Sequence, residues 1–184
     1  MLQFIALALV QLAAAPAEVP ANVLVLSAEA AERFEAESGD REAEGARRIE
    51  GQPKEQVAEA LRQTLSGRTA LVYQAGHGVF AEYTAPDGQL RMWYPNNLRV
   101  VRGSWGVRRV RGAMRACFRY RDAVNPVTMV YEPTECVSPA QTLGGAHLLR
   151  SWQGDVFGLM QDRIPYRKGS MDMPSPETVG APQP

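Results

Sequence analysis

The apolar positions of this chain change period once, at Gly67. Before it they recur at helical spacing, and after it they alternate. Ser27 offers an N-cap, and Ala28, Ala30, Ala31 and Phe34 sit among glutamates. That pattern predicts a helix over 28–37, stopped by Gly39-Asp40. The charged stretch 41–51 has few apolar residues and reads as loop or as exposed helix. Val57, Ala60, Leu61 and Leu65 mark one face of a second helix over 53–66, with Pro53 at its start and Gly67 at its end.

Past Gly67 the alternation predicts strands over 69–74, 79–84, 89–94 and 98–107. Ala75-Gly76-His77-Gly78, Pro86-Asp87-Gly88 and Pro95-Asn96-Asn97 separate them. Gly103 or Gly106 is expected to bend the fourth strand. The chain turns at Arg111-Gly112, and the fifth strand alternates cleanly. Met114, Ala116, Phe118 and Tyr120 fall on one face, and Arg115, Cys117, Arg119 and Arg121 on the other. A sixth strand is expected over 127–131, with 132–135 interrupting the ladder before Cys136. A last hairpin is expected from 146–152 and 156–160 across Gln153-Gly154-Asp155, with a helix over 148–152 as the alternative.

These elements make an α+β chain dominated by antiparallel β-structure. The expected architecture is a six- to eight-stranded meander curled into a partial barrel or a sandwich, with N-terminal helices and one disulfide. The expected organisation is a leader over 1–17, a helical lead segment over 18–66, the β-meander domain over 67–164 and a disordered tail over 165–184. The tail has five prolines and no apolar period.

Composition narrows this only slightly. The 184 residues are 45% hydrophobic and 22% charged, as in an ordinary soluble domain. The apolar run 4–14, broken only by Gln11 and followed by Ala15-Pro16-Ala17, has the form of a secretory signal peptide. Cleavage there would leave a chain starting at Glu18 in the periplasm or outside the cell. The run is too short to cross a bilayer, which takes about 20 residues. In an oxidising compartment the isolated pair Cys117 and Cys136 reads as a disulfide. Free thiols and a metal site are the alternatives, but two Cys and two His (His77, His147) do not show zinc-ligand spacing. No metal or cofactor motif is legible.

The twenty basic and twenty acidic residues cancel in number but not in position. From Arg91 to Arg121 there are nine arginines and no acid, whereas residues 18–60 carry eleven acids and five bases. Arg99, Arg102, Arg108, Arg109, Arg111, Arg115, Arg119 and Arg121 are therefore candidate anion-binding residues. Their planar forks bind phosphate or carboxylate at two points. The partner would be an anionic surface or an acidic protein, and nucleic acid is not expected for an exported protein. The competing expectation is that the acidic helices lie across the sheet and neutralise it. The disulfide would then lie on the arginine side, covered by those helices or by the C-terminal segment.

Trp93, Tyr94, Trp105, Phe118, Tyr120, Tyr131 and Trp152 suit the core of a small β-domain better than a ligand site. No catalytic constellation is legible. His77 lies between glycines, Ser104 has no nucleophile elbow, and Glu82, Asp87, Asp122, Glu132 and Glu135 are scattered. An enzyme would reveal itself as a deep pocket gathering His77 or His147 with carboxylates.

Gly67-Arg68-Thr69, Glu82-Tyr83, Pro86-Asp87-Gly88, Gly103-Ser104-Trp105 and Cys117-Phe118-Arg119-Tyr120 followed by Cys136 resemble, in that order, a group of small exported bacterial proteins. The resemblance covers about residues 57–137. It implies a periplasmic or secreted β-domain with a disulfide and no assigned activity. Trp105, Cys117, Cys136 and Trp152 also resemble small secreted β-barrel inhibitors of metalloproteases, whose inhibitory trunk would correspond to residues from Glu18. The leading expectation is a non-enzymatic exported binding or envelope-associated protein with an arginine-rich sheet face. The alternative is a secreted protease inhibitor.

Overall fold

A computed structural model describes residues 26–74, 78–93, 99–121 and 134–163. The leader, residues 75–77 and 94–98, the strand expected over 127–131 and the tail lie outside the described residues. So does the segment from Glu18 on which the inhibitor comparison rests.

Helix α1 spans Ala28–Ile49 and α2 spans Lys54–Leu65. Ser27 caps α1 by accepting from the Ala30 backbone N–H. The stop expected at Gly39 is not there, and 41–49 is helix. Gly39 faces open space, so the interruption costs only about 1 kcal/mol relative to alanine. The charged second half is supported by Glu44 pairing with Arg47 and Arg48. It also packs closely on a third helix, α3, at Pro139–Gly144. A Cβ on Gly45 would collide with the Ala140 carbonyl, and one on Gly144 with the Arg41 carbonyl.

Seven antiparallel strands form one sheet: β1 Arg68–Gln74, β2 Gly78–Thr84, β3 Gln89–Trp93, β4 Val101–Val110, β5 Ala113–Arg121, β6 Thr134–Val137 and β7 Leu148–Gln153. Their order is β6-β5-β4-β3-β2-β1-β7. The two edge strands are thus consecutive in sequence, joined only by 138–147. With six of those ten residues helical, the connection from Val137 to Leu148 spans at most roughly 28 Å. A flat seven-stranded sheet is about 29 Å wide. A flat sheet would leave this connection no slack, and the sheet curls into a half-barrel.

Three local expectations change. No register shift occurs at Gly103 or Gly106, and the irregularity lies instead between β1 and β7 at Leu71/Val72. Gly103 is needed for closeness, since a Cβ there would meet the Arg119 carbonyl. Residues 134–135 do not interrupt the ladder; they belong to β6, with Glu135 opposite Phe118. The last hairpin is only half present. β7 is a strand, but it pairs with β1. After it the Asp155 carboxylate accepts from the backbone N–H of Leu159 and Met160 and starts a 3-10 turn, Leu159–Gln161. The unforeseen α3 carries a capping box between Ser138 and Gln141, with Pro139 at its start.

Strand alternation sorts every side chain to one of two faces. Over β7, β1, β2 and β3 the convex face is apolar. Leu71, Tyr73, Val79, Ala81 and Trp93 pack there against Phe34 of α1 and against Phe157 and Leu159. The concave face holds Leu90, Ala116 and Phe118, with Leu65 of α2 laid against them. Cys117 and Cys136 are register partners joined by a disulfide, with Cα atoms 4.0 Å apart.

Candidate functional site

The convex face over β3, β4 and β5 differs from its neighbour. Here the register sets arginine against arginine. Arg91 faces Arg102, Arg102 faces Arg121, and Arg108 faces Arg115. Arg119 lies between these rows, opposite Ser104 and Thr134. Of the eight arginines singled out in the sequence, five (Arg102, Arg108, Arg115, Arg119, Arg121) share this face. Arg109 alternates to the other side, beside Met114. Arg111 has φ 48° in the turn before β5, and Arg99 sits in the bend before β4. Beyond Ser104 the β4–β5 hairpin outruns β3, so its arginine-rich tip stands as a two-stranded arm.

Among the described residues no ion pair joins the acidic helices to this face. The ion pairs of Glu29, Glu44 and Glu59 stay within α1 and α2, with Arg33, Arg47, Arg48 and Arg62. Among the described residues one ion pair reaches the arginine stretch, Arg102 to Asp162 at 2.6 Å. Leu65 of α2 packs on the opposite, Ala116–Phe118 side and gives the disulfide no cover, and the C-terminal segment past 163 lies outside the described residues. Cys117 is nevertheless buried, and Arg115 reaches the Cys136 carbonyl at 3.5 Å.

The concave face encloses a cavity of about 500 Å³ between α2, α3 and both edges of the sheet. Val72, Phe80, Phe118, Val137 and Leu148 form its apolar walls. Glu82, Glu135, Arg68, His147 and Tyr120 also line it. Glu82 stands in the middle of β2, not at a strand end, and is only 8% exposed. The Tyr120 hydroxyl donates to its Oε2 at 2.9 Å. Burial pushes the Glu82 carboxyl up to about 8; the tyrosine bond opposes this and the Glu135 charge adds to it. Burial holds His147 below the usual imidazole range, with the Glu42 charge opposing and the Arg41 charge assisting.

The cavity thus brings His147, Glu82 and Glu135 to one lining, the gathering that the sequence set as the sign of an enzyme. Among the described residues the Glu82 carboxyl is bonded by Tyr120 and not by the imidazole. No three His, Cys, Asp or Glu among those residues group as metal ligands do. His77, Asp122 and Glu132 lie outside the described residues, and Asp87 caps its own turn by accepting from the Gln89 backbone N–H.

The ordered motifs turn out to be joints of the half-barrel. Gly67 takes φ 69°, and the Thr69 hydroxyl donates to the Gly154 carbonyl and accepts from the Val156 N–H. Trp105 Nε1 donates to the Ala85 carbonyl, tying β4 to the Pro86-Asp87-Gly88 turn. Tyr120 holds Glu82. The sequence signal for Glu82 was an acid at an inward position between Phe80 and Thr84, but naming its role requires knowing which face turns inward. Compared with models of protein families, with curated proteins and with solved structures, the chain matches none of them.

Proposed function

We propose that this is a non-enzymatic, exported binding protein that docks an anionic surface on the arginine half of its convex face. One observation carries the reading: arginines stand opposite arginines on adjacent strands, and the acidic helices leave them unneutralised among the described residues. Like charges directly opposite each other destabilise a sheet. A partner presenting repeated phosphate or carboxylate groups relieves that repulsion and meets the planar forks two bonds at a time. The Cys117–Cys136 disulfide lies on the same face and fixes β5 to β6. Such a bond suits an oxidising compartment.

Sedimentation with lipid vesicles tests this. Vesicles containing an anionic lipid should carry the protein down and neutral ones should not. Raising salt from about 0.05 M to about 0.5 M should release it as screening shortens the reach of the charges. Changing Arg115, Arg119 and Arg121 together to Ala should weaken binding at least about tenfold, or about 1.4 kcal/mol. Retention indifferent to salt and to these changes would rule the reading out.

A further inference from the structure

We infer that the concave cavity binds an uncharged, largely apolar molecule carrying one hydrogen-bond-accepting oxygen, such as a ketone, ester or amide carbonyl, and that the Glu82 carboxyl is the group that holds that oxygen. This site lies on the opposite face of the sheet from the arginines and does not depend on their role.

Size and lining come first. A volume of about 500 Å³ falls within the roughly 300–1,000 Å³ of small-molecule sites, which are apolar with a few placed polar groups. Here the apolar walls come from five different strands, and one nine-tenths-buried carboxyl is set among them. A buried polar group calls for a partner. Among the described residues Glu82 has a single hydrogen bond, from Tyr120 to Oε2. Tyrosine is the donor in that bond, so the carboxyl's own proton belongs on the other oxygen, where it can be given to a ligand.

The charged neighbours exclude other ligand types. Tyr120 from β5 and Glu135 from β6 are the groups that act on Glu82; Arg68 from β1 and His147, ahead of β7, line the rest of the cavity. The helices contribute only uncharged side chains to the lining, such as Gln63 of α2 and Gln141 of α3. Arg68 is turned to the Ser151 hydroxyl at 3.4 Å. An anionic ligand approaching Glu82 would meet Glu135. A cationic one would first have to displace the carboxyl's proton. A neutral acceptor does neither, and it satisfies the buried donor that the Glu82 carboxyl presents.

Calorimetric titration with 2-octanone, octylamine and octanoate, three probes of similar length, provides the test. The ketone should bind and the two ions should bind at least about tenfold more weakly. Ketone binding to the wild type should fall as the pH rises past about 8, because the ionised carboxyl no longer donates. Glu82→Gln keeps an uncharged donor in place, so it should bind within about threefold of the wild type and lose the pH dependence. Glu82→Leu should lose at least about tenfold. Absence of ketone binding, equal or tighter binding of either ion, or a flat pH profile in the wild type would overturn the inference. The pH profile needs no variant, so the test survives a variant that fails to fold.

Discussion

The arginine half of the convex face and the cavity beneath it are built from the same strands and follow opposite rules. On β5, Arg119 and Arg121 point outward while Phe118 and Tyr120 point inward. Outside, charges stand in water, where each pair is weak and salt-sensitive and only their number makes a site. Inside, one carboxyl is out of water and its protonation state matters to the whole fold. A period of two is enough to put a polyvalent surface and a single-point site a sheet's thickness apart.

The sharpest break between the two regions should come from pH. The Glu82 carboxyl titrates at about 8 in the folded protein, against an ordinary value of 4.5. The folded state therefore holds this proton more tightly. Its contribution to stability is full below about 4.5 and is lost as the pH rises through about 8. Denaturant unfolding should show the wild type losing several kcal/mol between about pH 5 and about pH 9, and Glu82→Gln losing none of that share. His147 acts in the opposite sense. Its folded pKa is depressed, so its contribution falls as the pH drops through the ordinary imidazole range near 6.5. A pH profile unchanged by Glu82→Gln would mean that the carboxyl is not buried as described.

Next in size is the disulfide, which serves both regions. Cys117 and Cys136 are 19 positions apart, and opening the bond should cost about 3 kcal/mol, read as a lower denaturation midpoint for Cys136→Ser. Because β6 also supplies Glu135 and Val137 to the cavity, the same change should loosen both faces together. Hydrogen exchange confined to the arginine side would separate them.

The smallest effect should come from the arginines singly. Arg121→Gln removes one like-charged register partner of Arg102 and should stabilise the protein by a few tenths of a kcal/mol at low salt. That gain should vanish as salt screens the pair. A loss of stability instead would mean that the row is already satisfied within the protein.

Much of the framework was legible before any coordinates. The meander, its turns and the alternation of β5 follow from period-two patterning and from Gly, Pro and Asp at the corners. The cysteine pair and the arginine cluster are compact in sequence, so composition shows them. The helix past Gly39 was harder to read, because 41–49 lacks an apolar stripe and is held largely by its packing on α3, a partner 90 or more residues away. The destination of β7 was hidden for the same reason, since pairing with β1 spans about 80 positions.

What the sequence determined by itself is the order of the elements, the side of each strand on which a residue falls and the local density of positive charge. These depend on neighbours within a few positions. Only the tertiary structure decided that the two sheet edges meet through 138–147, that the concave face closes over a cavity, and that Glu82 is inside it while the arginines are outside. Strand alternation fixes that two residues lie on opposite faces, but not which face the curl encloses. The packing of α2 and α3 on the concave face marks that choice, and with it an acid that reads as one of many became, among the described residues, the carboxyl that is buried.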